Sequence, residues 1–396
     1  MTIELVDRFA CMGCSLCSLL CTKQSITMSP DSEGFLRPEV NHDTCVDCGL
    51  CYKSCPVVSL PEKHNEATYV VSAIKNKEML LKSSSGGTFY ALAERFIDEG
   101  GYVCGCIYDE RMRAMHICTN VLTEVKRMMG SKYVQSNIND CLKDTKRIIS
   151  EGHRVLFTGT ACQIAAARRY VRDSELLYAV DILCHGVPSP LFLSLYVDFL
   201  EEKHKGQLVT LEFRNKQELG WGSEHRTYYE IKNEKGIKGY RPKLPAYFCA
   251  FFWSLSLRES CYNCKFAGKK RVSDITIGDF WGYWTYFKKQ FPDGISIASI
   301  NTEKGKQLYN SIVDSMEFQI EVPQKNAIAT NTNFNHPTLR PSTRDGFYKG
   351  IDNMKYEQFR TRVYFDNTSR KKLLTSIYGC FMPESIKRLL RKTIRK

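Results

Sequence analysis

Residues 11–21 read CMGCSLCSLLC, and residues 45–56 repeat the pattern as CVDCGLCYKSCP. Both place cysteines at the spacing C-x2-C-x2-C-x3-C. Three thiolates at three-residue steps wrap a tight loop around three corners of an iron–sulfur cube. The fourth lies too far along the next turn and reaches the neighbouring cube. The expected ligand sets are therefore Cys11, Cys14, Cys17 and Cys55 for one 4Fe–4S cluster, and Cys45, Cys48, Cys51 and Cys21 for a second. Gly13 and Gly49 sit inside the loops, where the backbone must come close to sulfide. Structural zinc is the competing reading, but zinc sites take four ligands in two pairs rather than a triplet plus a distant fourth.

Pro56 follows Cys55, as in the bacterial ferredoxin run. Thr22 stands where the first run would carry the same proline, which loosens that turn without removing a ligand. Residues 1–62 are thus expected to form a ferredoxin-type domain. Working outward, the first 64 residues hold five Lys/Arg against eight Asp/Glu, so the net +13 of the chain comes from a body of +16 behind an acidic head of −3. A basic body attracts acidic proteins or anionic cofactors as readily as nucleic acid, and no nucleic-acid reading motif accompanies the charge; no nucleic acid is expected. Eighteen cysteines without a secretory signal or a long apolar run point to cytoplasmic metal or redox chemistry rather than disulfides.

After a polar linker, SLPEKHNEATY, strand-like and helix-like runs alternate: TYVVSAIK, GGTFYALAERFIDEGG, YVCGCIYD, RVLFTG, ACQIAAARRYV, LYAVDILC and PLFLSLYVDFLEEKHKG. Such alternation argues an α/β core with a largely parallel sheet. Past Gly206 hairpin patterns take over, then an aromatic stretch, AYFCAFFWSLSL. The fold class expected is an α+β multidomain chain, a small ferredoxin-like module followed by a mixed α/β core. The divisions expected are 1–62, a first part of the core at 66–150, a second part at 151–330, and an extension at 331–396.

Two strand-to-helix junctions offer anion sites. Ser84, Ser85, Gly86, Gly87 and Thr88 precede one helix, and Thr158, Gly159 and Thr160 precede another; unpaired N–H groups and the helix dipole favour phosphate at such places. An ordinary serine N-cap explains the first equally well. Between them Lys132 supplies charge, Tyr133 a stacking surface and Gln135 an amide. Neither stretch is a dinucleotide fingerprint or a Walker loop. Flavin is the better candidate, because clusters pass single electrons whereas organic substrates take two, and a flavin handles both. Cys184 and His185, adjacent at a strand end, read as nucleophile with base, as a metal ligand beside a structural histidine, or as a plain buried thiol.

The motifs SSSGGTF, GSKYVQS, GTACQI, ILCHGVPSP, CYNC and SDITIGDFWG, in that order over roughly residues 65–300, resemble the coenzyme F420 hydrogenase/dehydrogenase beta-subunit family, which also resembles plant hydroxymethyl-chlorophyll reductase. The resemblance implies FAD held by the motif residues above together with Gln163 and Asp279, and a third 4Fe–4S cluster on Cys162, Cys184, Cys261 and Cys264. Ala161 departs from the proline usual before the first of these. The resemblance turns Cys184 toward the metal and leaves His185 as the residue able to handle protons at the flavin edge. It implies an FAD- and iron–sulfur-dependent oxidoreductase that passes electrons between clusters and FAD and on, as hydride, to or from an organic substrate or deazaflavin coenzyme. The alternative is a non-catalytic electron-transfer subunit serving a redox partner protein, with polysaccharide biosynthesis a setting common among relatives of this type.

Six cysteines remain, Cys104, Cys106, Cys118, Cys141, Cys249 and Cys380, and are expected as small buried hydrophobes. The terminal SIKRLLRKTIRK gathers Ile386, Leu389, Leu390 and Ile394 on one helical face among basic residues, a candidate for peripheral membrane contact.

Overall fold

The structure is a computed structural model that describes residues 1–65, 67–222, 227–243 and 245–366. The basic terminal helix and Cys380 lie outside the described residues.

Each cysteine run ends in one helical turn, α1 (Leu16–Leu20) and α2 (Leu50–Lys53). Between them an antiparallel hairpin, β1 (Ile26–Pro30) and β2 (Leu36–Val40), closes the module. The Asp31 carboxylate accepts from the Glu33 and Phe35 N–H groups and from Arg37 Nε, which fixes the hairpin turn.

The core carries β3 (Thr68–Ile74), β4 (Tyr102–Tyr108), β5 (Ala114–Thr119), β6 (Val155–Thr160) and β7 (Leu177–Ile182). It adds β8 (Gln207–Glu212), β9 (Tyr228–Asn233), β10 (Gly236–Tyr240), β11 (Ile275–Asp279), β12 (Ser296–Ile300) and β13 (Met316–Glu321). Eight strands form one sheet in the order β13-β3-β12-β11-β7-β6-β4-β5, and β10-β9-β8 form a separate antiparallel sheet. β4, β6, β7 and β11 run parallel; every pairing outside that block is antiparallel. The sheet is therefore mixed rather than largely parallel. The reason is topological: β5 returns beside β4 by a short hairpin, and β12 folds back on β11 instead of crossing over. Residues 66–150 and 151–330 share this sheet, since β3 lies between β12 and β13.

Helices cover the sheet and its margins: α3 (Lys77–Lys82), α4 (Thr88–Asp98), α5 (Leu122–Met128), α6 (Asn139–Ser150), α7 (Ala161–Tyr170), α8 (Pro190–His204), α9 (Ala246–Phe252) and α10 (Glu259–Tyr262). α8 starts with Ser189 as N-cap, its hydroxyl accepting from the Leu191 N–H, and Pro190 at the first position, where a missing N–H costs nothing. The helices Arg344–Tyr348 and Tyr356–Thr361 bring Phe347, Tyr356 and Phe359 onto Phe192 and Tyr247, so the start of the 331–396 extension packs into the core.

The leftover cysteines divide. Cys141 and Cys249 are buried, as expected. Cys104 and Cys118 face each other in register across β4 and β5 and are disulfide-bonded, so for this pair the reading as plain apolar filler is corrected. Direct cross-strand neighbours bring two β-carbons within bonding reach, a juxtaposition that spacing along the chain does not reveal.

Candidate functional site

The eight N-terminal cysteines line two cavities. Cys11, Cys14, Cys17 and Cys55 surround one, with Ile3, Val6, Leu16 and Val57. Cys21, Cys45, Cys48 and Cys51 surround the other, with Ile26, Val40 and Leu50. The local backbone explains the gathering. In each run two residues take left-handed conformations at matching places, Gly13 and Ser15 in the first, Asp47 and Gly49 in the second. Each pair curls its triplet inward before the helical turn carries the fourth cysteine away. Only half of these positions are glycine, so the glycines quoted above mark the device incompletely. Burial pushes the Cys17 thiol up to about 12 and Cys14 well above its ordinary value, with neighbouring cysteines adding to both. Cys51 and Cys55 are raised too, first by burial. Four thiols crowded in apolar surroundings resist losing protons unless a cation joins them, which is the donor chemistry an iron–sulfur cluster requires.

A third group lies in the core. Cys162 is the second residue of α7, Cys184 follows β7, Cys261 is in α10 and Cys264 follows it. Burial, then Cys264, raises Cys162 to about 11; burial, then Cys261, Cys162 and Cys264, lifts Cys184 well above its ordinary value; burial, then Cys264, raises Cys261 to about 12. The four thiols thus act on one another through space, and this set also fits a thiolate-ligated cluster. Gly186 has φ of 138°, and a β-carbon there would meet Leu257 at 2.7 Å and Cys261 at 3.2 Å, so the Cys184 loop closes on Cys261 only with glycine.

The residues expected at a flavin separate into two places. Thr160 and Gln163 form the reciprocal cap of α7, and Thr160 Oγ1 lies 3.1 Å from Cys162 Sγ. Gln135 donates to the Met12 carbonyl and accepts from Arg258, beside Cys11. These three stand with the cysteines. Thr158 donates to the Cys104 carbonyl, and its own carbonyl lies 3.1 Å from His116 Nε2; Gly159 packs against Gln163. Lys132 donates to the carbonyls of Arg127 and Met129 at the end of α5, and burial lowers its ammonium to about 8. His185 lies between two hydroxyls, Ser254 at 3.0 Å from Nε2 and Thr338 at 3.3 Å from Nδ1, and burial lowers its pKa.

Ser84, Ser85, Tyr133 and Asp279 meet elsewhere, joined by two cations that the motif reading missed. Arg214, 7% exposed, donates to both Asp279 oxygens (2.9 and 3.1 Å), to Tyr133 Oη and to the Ser84 carbonyl. Lys216, 2% exposed, donates to the carbonyls of Ser85 and Asp293. Trp221 donates to Asp279 and stacks on Trp281 at 4.7 Å, with Arg214 over the Trp281 ring. Tyr133 stacks on Phe251 at 4.2 Å. Gly86 packs rather than cradles: its N–H goes to Ser296 Oγ, and a β-carbon would lie 2.4 Å from the Ser72 carbonyl. Gly87 likewise packs on Ile74. Thr88 Oγ1 is buried with no hydrogen-bond partner among the described residues. The sequence signal for the cations was FRNK at 213–216, two basic residues straight after an apolar strand.

Burial and the nearby Arg214 push the Lys216 ammonium down from 10.5 to about 7. Between those values the unfolded chain holds a proton that the folded chain has released, so stability rises with pH across that window. Lys216→Met is expected to flatten the rise, measured as denaturant midpoints at pH 7 and pH 9; an unchanged slope would refute it.

Residues 152–326 match the family model for the C terminus of the coenzyme F420 hydrogenase/dehydrogenase beta subunit, and residues 10–58 match that of a 4Fe-4S dicluster domain. The chain belongs to the coenzyme F420 hydrogenase/dehydrogenase beta-subunit family. Its similar relatives include the coenzyme F420-dependent sulfite reductase of Methanocaldococcus jannaschii, 24% identical over 78% of this chain and 47% of the relative. The chain thus spans about half the length of that relative. A protein named as one of the subunits of the F(420)H(2) dehydrogenase of Methanosarcina mazei is 20% identical over 79% of this chain and 85% of the relative. The VorC component of the ketoisovalerate oxidoreductase of Methanothermobacter marburgensis is 30% identical over 15% of this chain and 80% of its own length. A chain of the solved F420-reducing [NiFe] hydrogenase complex from Methanosarcina barkeri aligns at 18% identity over 76% of this chain and 91% of that chain, with a TM-score of 0.42. No helix among the described residues is long and apolar enough to cross a membrane.

Proposed function

We propose that this chain is an iron–sulfur flavoprotein oxidoreductase that moves electrons between a redox partner and an organic acceptor, a deazaflavin or another small molecule. The observation that carries the reading is the collection of twelve cysteines into three groups of four, two in the dicluster domain and one in the family core. When bound, iron–sulfur clusters supply one-electron transfer and FAD supplies exchange between one-electron and two-electron chemistry. Cys11, Cys14, Cys17 and Cys55 would hold one cluster, Cys21, Cys45, Cys48 and Cys51 another, and Cys162, Cys184, Cys261 and Cys264 a third.

For FAD the donor set favours the Ser84–Thr88 loop. Two buried cations, Arg214 and Lys216, meet one carboxylate, Asp279, and the surplus positive charge suits a diphosphate. Thr88 Oγ1 awaits a partner, and the Trp221–Trp281 and Tyr133–Phe251 stacks offer ring surfaces. Because Gly86 and Gly87 serve packing, anion recognition falls to the cations and hydroxyls rather than to a glycine cradle. His185, neutral and fixed between two hydroxyls, is the residue placed to hand over a proton.

Anaerobic purification with iron, sulfide and flavin quantified together tests this: about twelve irons and about one FAD per chain are expected. A colourless protein, or one with iron but no flavin, would overturn the proposal in whole or in its flavin part. A second reading, in which the chain feeds electrons to a partner's active site, draws on the relative from Methanosarcina mazei, which is named as part of a larger dehydrogenase and is spanned over 85% of its length. Reduction of an acceptor only after a co-purifying protein is added back would select that reading.

A further inference from the structure

Four arginines are almost wholly buried: Arg214, Arg258, Arg271 and Arg344. Three of them have a carboxylate partner, Asp279 for Arg214, Asp181 for Arg271 and Glu33 for Arg344. Arg258, 1% exposed, has no carboxylate within ion-pair distance among the described residues. A guanidinium kept from water without a counter-charge is costly enough that its partner must be sought nearby.

The partner is the first cysteine loop. Arg258 Nε donates to the Cys11 carbonyl at 2.8 Å, Nη2 to the Leu36 carbonyl at 2.9 Å, and Nη1 to Gln135 Oε1 at 2.9 Å. Nη2 also lies 3.7 Å from Cys11 Sγ, within reach of a hydrogen bond to sulfur. The guanidinium sits over the Phe35 ring at 5.3 Å, so water does not compete from that face. Gly13 makes the approach feasible, because a β-carbon there would fall 2.9 Å from Arg258 Nη1 and 2.8 Å from Gln135 Nε2.

The backbone of the same residue serves the core cysteines. The Arg258 N–H donates to Val187, three residues past Cys184, and the Arg258 carbonyl accepts from the Cys261 N–H at 2.9 Å. Arg258 is also the residue immediately before α10, the turn that carries Cys261. One residue therefore grips the first cysteine group through its side chain and the third through its main chain, and thiolates at Cys11 and Cys261 both stabilise its charge.

Resting on the reading that Cys11 ligates iron, we infer that Arg258 is a positioning residue for electron transfer, acting as the counter-charge of the Cys11 centre and as the clamp that registers it against the core cysteine group. A fixed cation beside a thiolate-ligated centre stabilises the more negative, reduced form, so it raises that centre's potential relative to the other ferredoxin centre. The sulfur set of Cys21, Cys45, Cys48 and Cys51 has no such partner among the described residues and serves as the internal control.

The test is an anaerobic redox titration of the full chain followed by electron paramagnetic resonance, with iron and sulfide measured on each sample. Arg258→Gln is expected to lower the potential of one ferredoxin centre by at least a tenfold change in its reduced-to-oxidised ratio, about 59 mV for one electron, and to leave the other unmoved. Arg258→Lys, which keeps the charge but loses the fork, is expected to retain most of that potential. Unmoved potentials in iron-replete Arg258→Gln would overturn the inference. Where Arg258→Gln fails to load iron, loading of Arg258→Lys supports the counter-charge role and equal failure of both overturns it, since shape rather than charge would then decide. Wild-type protein lacking the Cys11 centre would instead sink the cluster assignment itself, an outcome visible in the iron count before any titration.

Discussion

Cys184→Ala, purified without air, is expected to hold about eight irons where the parent chain holds about twelve, with both ferredoxin-type signals preserved after dithionite reduction. The expectation follows from how Cys184 is held. Its thiol is raised by burial and by three other cysteines at once, Cys261, Cys162 and Cys264, which come from α7 and from the segment around α10. A four-thiolate site missing one ligand inside a buried pocket has no water-exposed replacement. Cys141→Ala is the matched control: Cys141 is also buried, lies 3.4 Å from Cys118 Sγ and faces no cysteine of the proposed sets, so its iron content should equal that of the parent. Iron unchanged in Cys184→Ala would remove the third cluster and leave a zinc or purely structural role for CYNC.

The ferredoxin half of the chain was open to sequence reading because its spacing is short and local. A loop three residues long between thiolates has few ways to close, so order along the chain fixes the partners, and the two cavities contain the expected cysteines. The core cysteines come from three separate elements, and only their place in a run of ordered motifs joined them. Strand and helix alternation announced the sheet, yet not its direction at the edges, because a strand reads alike whether it pairs parallel or antiparallel. The candidate cofactor residues divided for a similar reason. A polar residue beside a helix start caps that helix or faces a ligand with the same composition: Thr160 and Gln163 cap α7, whereas Ser84 and Ser85 meet Arg214 and Lys216. Those two cations sit after β8, about 130 residues beyond the loop they touch, and no local pattern ties them to it.

Arg214→Met is the substitution expected to separate flavin from iron. It removes the donor that holds Asp279, Tyr133 and the Ser84 carbonyl in one place, and leaves the Asp279 carboxylate, half enclosed, with Trp221 as its remaining partner named here. Breaking a buried ion pair by removing one member costs roughly 3–5 kcal/mol, so a lower denaturant midpoint is expected along with FAD falling from about one per chain toward none. Iron should stay near its parental value, because none of the twelve cysteines touches Arg214. Arg214→Lys sharpens the test: an ammonium keeps the charge but cannot donate in a fixed fork to two carboxylate oxygens and a carbonyl together. It is expected to recover stability in part while still binding FAD weakly, read as flavin released on dilution. Full flavin retention in Arg214→Met would move the cofactor away from the Ser84–Thr88 loop, and parallel loss of iron and flavin would show that Arg214 supports the fold as a whole rather than one site.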